Sequence, residues 1–141
     1  MKYVIDASVA FKWVVAEIHQ DKALLLRSDS SNGIHELIAP DFFPAEVGHA
    51  LTRAERQNRL PAGQALGLWT DVMATAPRLH ATLPIMPRAI EISSQLRIGV
   101  YDCAYIALAE QEKCECITAD DKLVNNVQQQ FPFVRHLGTL P

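Results

Sequence analysis

The sequence predicts an α/β sandwich built on a central, mainly parallel sheet. Short apolar segments typical of buried strands alternate along the chain with longer segments of helical periodicity, as in βαβ units. No internal repeat, low-complexity tract or linker interrupts this alternation. The chain has 141 residues, which is enough for one stable core, and we expect a single domain over residues 1–141.

Apolar periodicity and end signals predict where each element lies. Continuous or alternating apolar segments indicate strands, whereas apolar spacings of three and four indicate helices. Asp41 is the expected N-cap of the third helix, and Pro61 is expected in the first turn of the fourth, whose inner stripe includes Leu66. In chain order the expected elements are strand 2–6, helix 7–15, helix 20–31, strand 35–39, helix 42–58, helix 61–76, strand 79–83, helix 87–96, helix 101–109, strand 116–118, helix 121–129 and strand 133–136.

Glycine and proline are expected to separate several of these elements. The Asn32-Gly33 pair is a common signal for a helix C-terminus and should end the second helix. Pro40 closes the second strand, and Pro77 stops the fourth helix. Gly99 breaks the chain before the helix at 101–109.

The helix at 101–109 is the most apolar segment of the chain and contains one charged residue. Apolar side chains, including Tyr101 and Tyr105, cover every side of it, so that we expect burial on every side. Asp102 is the exception. A buried carboxylate without a partner costs free energy, and a cation is one group that could compensate it.

Two further aspartates follow strands, and a glutamate lies on a neighbouring helix. Asp6 ends the first strand, and Asp120 comes just after strand 116–118. Taken singly, Asp6, Asp102 and Asp120 each also fit the position of a helix N-cap. Ligands bind at the carboxyl ends of parallel strands, an edge that Glu46 could also reach. Carboxylates that converge there repel one another unless a cation lies among them, and an all-oxygen set suits Mg²⁺ or Mn²⁺.

Composition limits the class of protein. The net charge of −3 is not that of a typical nucleic-acid binder, although a cluster of acidic site residues contributes to its sign. No apolar run approaches the length of a membrane span, and the N-terminus lacks a signal-peptide pattern. Three cysteines, an odd number, suit a reducing compartment. We therefore expect a cytoplasmic protein that does not enter a membrane.

Four short motifs occur in order along nearly the whole chain. They are Val4-Ile-Asp-Ala-Ser8, Pro44-Ala-Glu-Val47, Tyr101-Asp-Cys-Ala-Tyr-Ile-Ala-Leu-Ala-Glu110 and Ile117-Thr-Ala-Asp120. In order and spacing they resemble the motifs of PIN-domain ribonucleases, most closely the VapC-type toxins of bacterial type II toxin–antitoxin pairs. The resemblance implies a PIN-like three-layer α/β/α sandwich. The chain departs from the family pattern in its doubled Asp120-Asp121, where the pattern selects Asp120 and leaves Asp121 to assist or to cap.

The resemblance implies an endoribonuclease that uses Mg²⁺ (or Mn²⁺). Asp6, Glu46, Asp102 and Asp120 are then the expected catalytic and metal-binding residues. The three aspartates would bind metal directly or through water, and Glu46 would bind a second ion or orient the attacking water. Divalent cations suit this chemistry because they neutralise the phosphate, supply a hydroxide near neutral pH and stabilise the leaving oxygen.

Neighbouring polar residues are candidates for supporting roles. Ser8 and Thr118 are expected either to support the acidic site through hydroxyl hydrogen bonds or to serve only local backbone turns. Lys12, Arg53 and Arg56 lie near acidic positions in the sequence and are candidate RNA contacts. The alternative for each basic residue is solvated surface charge.

The resemblance also implies protein partners. It suggests a cognate antitoxin whose C-terminal segment crosses a groove beside the site, and a homodimer of the chain. Trp13 and Phe42 lie near acidic positions and are candidate contacts at the groove, with burial in the core as the alternative. For Phe43 and Trp69 the helical stripe favours the core.

Other functions remain open on the residues alone. A phosphohydrolase acting on small phosphate esters is one, although the aspartyl-phosphate version usually has a second Asp where this chain has Ser8. A module that binds RNA or protein without catalysis is another. Glu46-x-x-His49 has the spacing of a di-iron helix motif, but that architecture needs a second such pair, which the sequence lacks.

Overall fold

A five-stranded parallel sheet forms the centre of the protein. The computed structural model describes residues 1–141 and orders the strands 3-2-1-4-5 across the sheet. All four neighbouring pairs are parallel, and helical segments connect the successive strands. The strands are β1 (Lys2–Ile5), β2 (Glu36–Pro40), β3 (Arg78–His80), β4 (Glu115–Thr118) and β5 (Val134–His136).

Seven α-helices flank the sheet and complete three layers. Helix α1 packs against α2, α3 and α4, whereas α6 packs against α5 and lies on β1, β2 and β4. The predicted α/β/α class with a parallel sheet is therefore confirmed. The helices are α1 (Ala7–Val14), α2 (Gln20–Ser31), α3 (Phe43–Arg56), α4 (Ala65–Met73), α5 (Met86–Leu96), α6 (Val100–Glu112) and α7 (Asp121–Val127), and short 3-10 helices lie at Leu83–Ile85 and Leu137–Thr139.

The core is continuous from the first strand to the C-terminal segment. Val4, Ile5, Ile38 and Ile117 have no exposed surface, as expected for strands covered on both faces. They belong to a single cluster of 39 buried apolar residues. None of the helices combines the length and the apolar character that a membrane crossing requires.

Helix α6 is buried as predicted except at its start. Every residue from Cys103 to Ala109 is buried. Tyr101, however, is 59% exposed, so the prediction of burial on every side is wrong for this residue. Tyr101 lies in the first turn, where its ring packs edge-to-face against Phe42 with ring centroids 5.0 Å apart.

Two predicted helix starts are wrong. Helix α4 begins at Ala65, because residues 61–64 form a turn in which Gly63 has a φ of +88°. Leu66, predicted to face the core, is 73% exposed. At the start of α3 the N-cap is Phe42, without a side-chain capping bond, and the carboxylate of Asp41 instead accepts a hydrogen bond from the Thr82 hydroxyl.

Candidate active site

The acidic residues meet where the strand order reverses. Strands β2 and β3 lie on one side of β1, and β4 and β5 lie on the other. A crevice opens at the carboxyl ends of the strands at such a reversal and is the usual ligand site of parallel sheets. Asp6 follows β1 directly, and Asp120 is the second residue after β4. The pairing of Ile5 with Ile117 brings these two strand ends together.

Asp6 is fixed by hydrogen bonds to both of its carboxylate oxygens. It is the N-cap of α1, where its Oδ1 accepts from the backbone N–H of Ser8 at 3.1 Å and also from the Ser8 hydroxyl. Its Oδ2 accepts from Oγ1 of Thr118 at 2.5 Å. Burial raises the pKa of Asp6 to about 6, although the bonds from Ser8 and Thr118 oppose that rise, and the charge of Glu46 adds to it.

Asp120 is exposed and caps the next helix. Its Oδ1 accepts from the backbone N–H of Leu123 at 3.1 Å, at the start of α7. Its own N–H donates to Oγ1 of Thr118 at 3.1 Å. The capping interpretation is therefore correct for both Asp6 and Asp120. A cap occupies only one oxygen of Asp120, and its second oxygen makes no hydrogen bond within the chain.

Asp102 does not cap its helix. The N-cap of α6 is Gly99, and Asp102 lies one turn further on, partly buried. Burial raises the pKa of Asp102 to about 6, and the negative charges of Asp6 and Asp120 raise it further. The capping alternative is thus wrong for Asp102, whose carboxylate makes no hydrogen bond or ion pair within the chain.

Glu46 approaches the same crevice from α3. It lies in the first turn of that helix and is partly buried. Burial raises the pKa of Glu46, the Tyr105 hydroxyl lowers it, and the charge of Asp102 raises it. The carboxylate therefore lies close to both groups on α6.

These mutual effects show that the structure brings all four predicted carboxylates into one neighbourhood. The charge of Glu46 raises the pKa of Asp6, and the charge of Asp102 raises that of Glu46. The charges of Asp6 and Asp120 both raise the pKa of Asp102. No lysine, arginine or histidine forms an ion pair with any of the four. The negative charge of the crevice is therefore not compensated by the chain itself.

The donor set fits a hard divalent cation in its chemistry. The four residues offer oxygen ligands alone, which suit Mg²⁺ and Mn²⁺. No three His, Cys, Asp or Glu side chains are spaced as a complete metal-binding group. Mg²⁺ keeps several of its waters and uses only one or two carboxylates directly, so that a looser arrangement of aspartates suits it.

Thr118 and Ser8 form the floor of the crevice. The Thr118 hydroxyl donates to Asp6 and accepts from the N–H of Asp120. The Ser8 hydroxyl donates to Asp6 and accepts from the N–H of Ala119 at 2.9 Å. Both predicted roles of these hydroxyls thus occur together, because each one supports a carboxylate and also satisfies a backbone donor.

A cleft of about 490 Å³ runs from Ser8 and Ala119 between α1 and α3. Arg53 is exposed and lines this cleft, whereas Arg56 is exposed outside it. Lys12 also borders the cleft but is only 6% exposed, with Nζ 3.2 Å from Oε1 of Glu17. The remaining lining residues are Phe11, Glu17, His49, Ala50, Ala54, Gln57 and Arg59.

Two residues predicted to make contacts are structural. Lys12, a candidate RNA contact with solvated surface charge as the alternative, is instead buried against Glu17. Trp13, predicted to line a partner groove, is 4% exposed, and its Nε1 donates to the carbonyl of Ala23 at 2.9 Å. Phe43 is fully buried as predicted, and Trp69 is partly buried with its Nε1 donating to the carbonyl of Pro44.

Sequence reasoning missed two residues beside the carboxylates. Tyr105 is 1% exposed and lies next to Glu46, which its position three residues after Asp102 on one helix face could have indicated. His136 ends β5, and its Nε2 is 3.2 Å from the carbonyl oxygen of Ala119 and 2.9 Å from Oδ1 of Asp121. No local signal in the sequence indicates the second contact, since it depends on the pairing of β4 with β5.

Comparison with known proteins identifies the family. Residues 3–127 match the PIN domain. The chain is 30% identical over 132 residues to ribonuclease VapC9 of Mycobacterium tuberculosis, covering 92% of this chain and 94% of that protein. It is 36% identical over 101 residues to ribonuclease VapC1 of the same species, covering 70% of this chain and 69% of that protein.

A solved structure has the same fold. The crystal structure of PAE2754 from Pyrobaculum aerophilum matches with a TM-score of 0.69 at 20% sequence identity, covering 99% of this chain and 94% of that one. At this identity the match concerns the fold alone. The match of residues 3–127 to the PIN domain and the identity to the VapC ribonucleases show that this chain belongs to the PIN-domain family, in its VapC-type branch.

Proposed function

We propose that the protein is a metal-dependent endoribonuclease and the toxin of a type II toxin–antitoxin pair. The proposal rests on the crevice at the ends of β1 and β4, where burial and neighbouring carboxylates raise the pKa values of Asp6, Glu46 and Asp102 beside Asp120, and no cationic side chain pairs with any of the four. The VapC ribonucleases to which the chain is 30–36% identical support RNA as the substrate.

Each carboxylate has a distinct part in this proposal. Asp6, Asp102 and Asp120 would hold Mg²⁺ or Mn²⁺, directly or through water, and Glu46 would hold a second ion or orient the attacking water. The bound cation supplies charge neutralisation at the phosphate and a water of lowered pKa. Ser8 and Thr118 hold Asp6 through its two oxygens, which limits rotation of the ligand and excludes alternative rotamers.

The cleft between α1 and α3 is the proposed path of the RNA backbone. It reaches the crevice at Ser8 and Ala119 and carries Arg53, which has no ion-pair partner. Arg59 lies in the same cleft but pairs with Glu17 at 2.6 Å and stacks over Phe11. Arg53 is therefore the cation of this cleft that is free to bind a phosphate.

The partners and compartment are part of the same proposal. A cognate antitoxin would cover the crevice, and two copies of the chain would form a homodimer. Exposed Leu66 lies with Trp69 in an apolar groove between α3 and α4 that offers a protein partner a contact surface. Three free cysteines suit the reducing cytoplasm, where such a toxin would act.

Cleavage of a structured RNA by purified protein tests the proposal. We expect cleavage with Mg²⁺ or Mn²⁺ and none with EDTA. The variants Asp6→Asn and Asp102→Asn, purified in parallel, control for contaminating nuclease and should lose nearly all activity, because an amide is a neutral and poorer ligand. Both should remain folded, since they relieve repulsion between carboxylates. Full cleavage by both variants, or by wild type in EDTA, would contradict the assignment.

A further inference from the structure

The hydroxyl of Tyr105 is buried without a hydrogen-bond partner. The residue is 1% exposed on α6, and its oxygen makes no hydrogen bond of normal length and angle within the protein. A buried tyrosine hydroxyl usually has a partner, because leaving it unpaired costs free energy. The oxygen of Tyr105 therefore lies inside the free protein without a formed hydrogen bond.

This hydroxyl lies beside the carboxylates of the crevice. Tyr105 follows Asp102 by three residues and so shares its face of α6. Burial and the charge of Glu46 raise the pKa of Tyr105, and the Tyr105 hydroxyl in turn lowers that of Glu46. Among the carboxylates, that of Glu46 therefore has the larger effect on the phenol, and Asp6 has a smaller one.

Phe42 holds the two residues in their relative places. Its ring packs edge-to-face against Tyr105, with centroids 5.4 Å apart and planes at 86°. Its carbonyl oxygen accepts from the backbone N–H of Glu46 at 3.1 Å. One residue therefore fixes both the orientation of the phenol and the first turn of the helix that carries the glutamate.

We propose that Tyr105 is a positioning residue for Glu46, donating a hydrogen bond from its hydroxyl to the Glu46 carboxylate when a divalent cation occupies the crevice. The proposal rests on the proposed function of this site. Without a cation, repulsion from Asp6 and Asp102 disfavours a single ordered position for Glu46. With that repulsion neutralised, the buried phenol is the donor in reach that selects one orientation of the carboxylate.

The variant Tyr105→Phe tests this role because it removes only the oxygen. We expect the metal-free unfolding temperature to stay the same or to rise, since the lost hydroxyl had no partner. The Mn²⁺ concentration that gives half of the metal-dependent rise in unfolding temperature should increase about 10-fold, the effect of one hydrogen bond to a charged group. The kcat for RNA should fall by a similar factor at unchanged KM.

Tyr3→Phe is the matched control. Tyr3 is also a buried tyrosine, on β1, and its hydroxyl donates to the sulfur of Met1, away from the crevice. Its Mn²⁺ dependence and kcat should equal those of wild type. A Tyr105→Phe variant that matches wild type in both measurements overturns the proposal.

A double-mutant cycle with Glu46→Ala separates positioning through Glu46 from any other role, because alanine, unlike glutamine, leaves no oxygen that could accept from Tyr105. If Tyr105 acts through Glu46, then Tyr105→Phe has little further effect on Mn²⁺ binding in the Glu46→Ala background. If the losses of Mn²⁺ affinity caused by the two substitutions were additive, the proposal would be overturned. A wild type that binds Mn²⁺ but does not cleave RNA would refute the ribonuclease assignment while the Mn²⁺ cycle still decided the role of Tyr105. A wild type that neither binds Mn²⁺ nor cleaves RNA would overturn both.

Discussion

Oγ1 of Thr118 donates a 2.5 Å hydrogen bond to Oδ2 of Asp6, and it thereby joins the end of β4 to the end of β1. The same oxygen accepts from the N–H of Asp120 at 3.1 Å. One fully buried hydroxyl thus sets the position of two of the four acidic residues. A threonine at the last position of β4 is therefore part of the site and not only of the strand.

Replacing Thr118 with valine should destabilise the protein at neutral pH. Valine keeps the shape of the side chain but leaves the Asp6 carboxylate and the Asp120 N–H without their partner. We expect the free energy of unfolding to fall by about 1–3 kcal/mol, the cost of such unpaired groups. Urea denaturation measures this change.

Thr70→Val provides the control for that experiment. Its hydroxyl is exposed and bonds only to the carbonyl oxygen of Leu66 within α4. Such a surface change should alter the unfolding free energy by less than about 0.5 kcal/mol. Equal stability of Thr118→Val and Thr70→Val would show that the Thr118 hydroxyl does not support the crevice.

The metal-free protein should be more stable at pH 5 than at pH 7 on account of its acidic crevice. The pKa values of Asp6 and Asp102 are raised to about 6 from an ordinary value of 3.8. The folded state therefore holds protons that the unfolded chain has already released. Their contribution to stability is complete below about pH 4 and is lost as the pH rises through 6.

Urea unfolding in EDTA at several pH values between 5 and 8 measures this effect. Asp102→Asn should lose less stability over that interval than wild type. The variant lacks one of the two carboxylates with a raised pKa, and it also lacks the charge that repels the neighbouring carboxylates. Added Mn²⁺ should also reduce the loss in wild type. Identical pH dependence in wild type and Asp102→Asn would mean that the folded protein does not raise the pKa of the Asp102 carboxylate.

The parallel sheet and the acidic edge could be predicted from the sequence because local patterns determine them. Continuous apolar strands such as Val4–Ile5 require cover on both faces, and a residue directly after such a strand must lie at its carboxyl edge. The positions of Asp6 and Asp120 at that edge could therefore be predicted from their strands alone. The order of the strands, which makes β1 and β4 neighbours, is not encoded in any single segment.

The wrong predictions share a cause in tertiary packing. Lys12 and Trp13 carry polar atoms that favour an exposed position, but Glu17 and the carbonyl of Ala23 satisfy those atoms inside the protein. Neither partner could be inferred from spacing. Asp102 fits a cap by residue type, yet α6 begins at Val100, two residues before it, and Gly99 is the N-cap.

Arg53→Ala should weaken RNA binding, whereas Arg56→Ala should not. Both arginines are exposed on α3, but only Arg53 lines the cleft that leads to Ser8 and Ala119. Loss of one phosphate contact to single-stranded RNA should reduce the slope of log affinity against log salt by about 0.7. Binding of RNA to the inactive Asp102→Asn protein over a salt series measures it.

Arg56→Ala serves as the matched control in the same background. Because it removes the same charge from the same helix, it corrects for any change in net charge. If both variants shifted the salt dependence equally, the attraction would be a property of the whole surface, and the cleft would not be the path of the RNA.

The geometry around His136 predicts a third support for Asp120. Nδ1 of His136 accepts from the N–H of Gly138 at 2.9 Å, so its ring proton is on Nε2, which faces the carbonyl of Ala119 and Oδ1 of Asp121. These contacts hold the residues on both sides of Asp120. Substitution with phenylalanine keeps an aromatic side chain but removes both of these contacts and the bond from Gly138, and the loop that carries Asp120 should then lose its fixed position.

His136→Phe should therefore need several times more Mn²⁺ for half of the metal-dependent rise in unfolding temperature, as for other residues that orient a metal ligand. Asp121→Asn isolates one of the two contacts. Its side chain is 86% exposed, and an exposed pair contributes about 1 kcal/mol or less, so that we expect at most about a five-fold change, smaller than that of His136→Phe. A large effect of Asp121→Asn would instead make Asp121 a ligand in its own right. No effect of His136→Phe would mean that Thr118 and the N–H of Leu123 position Asp120 without His136.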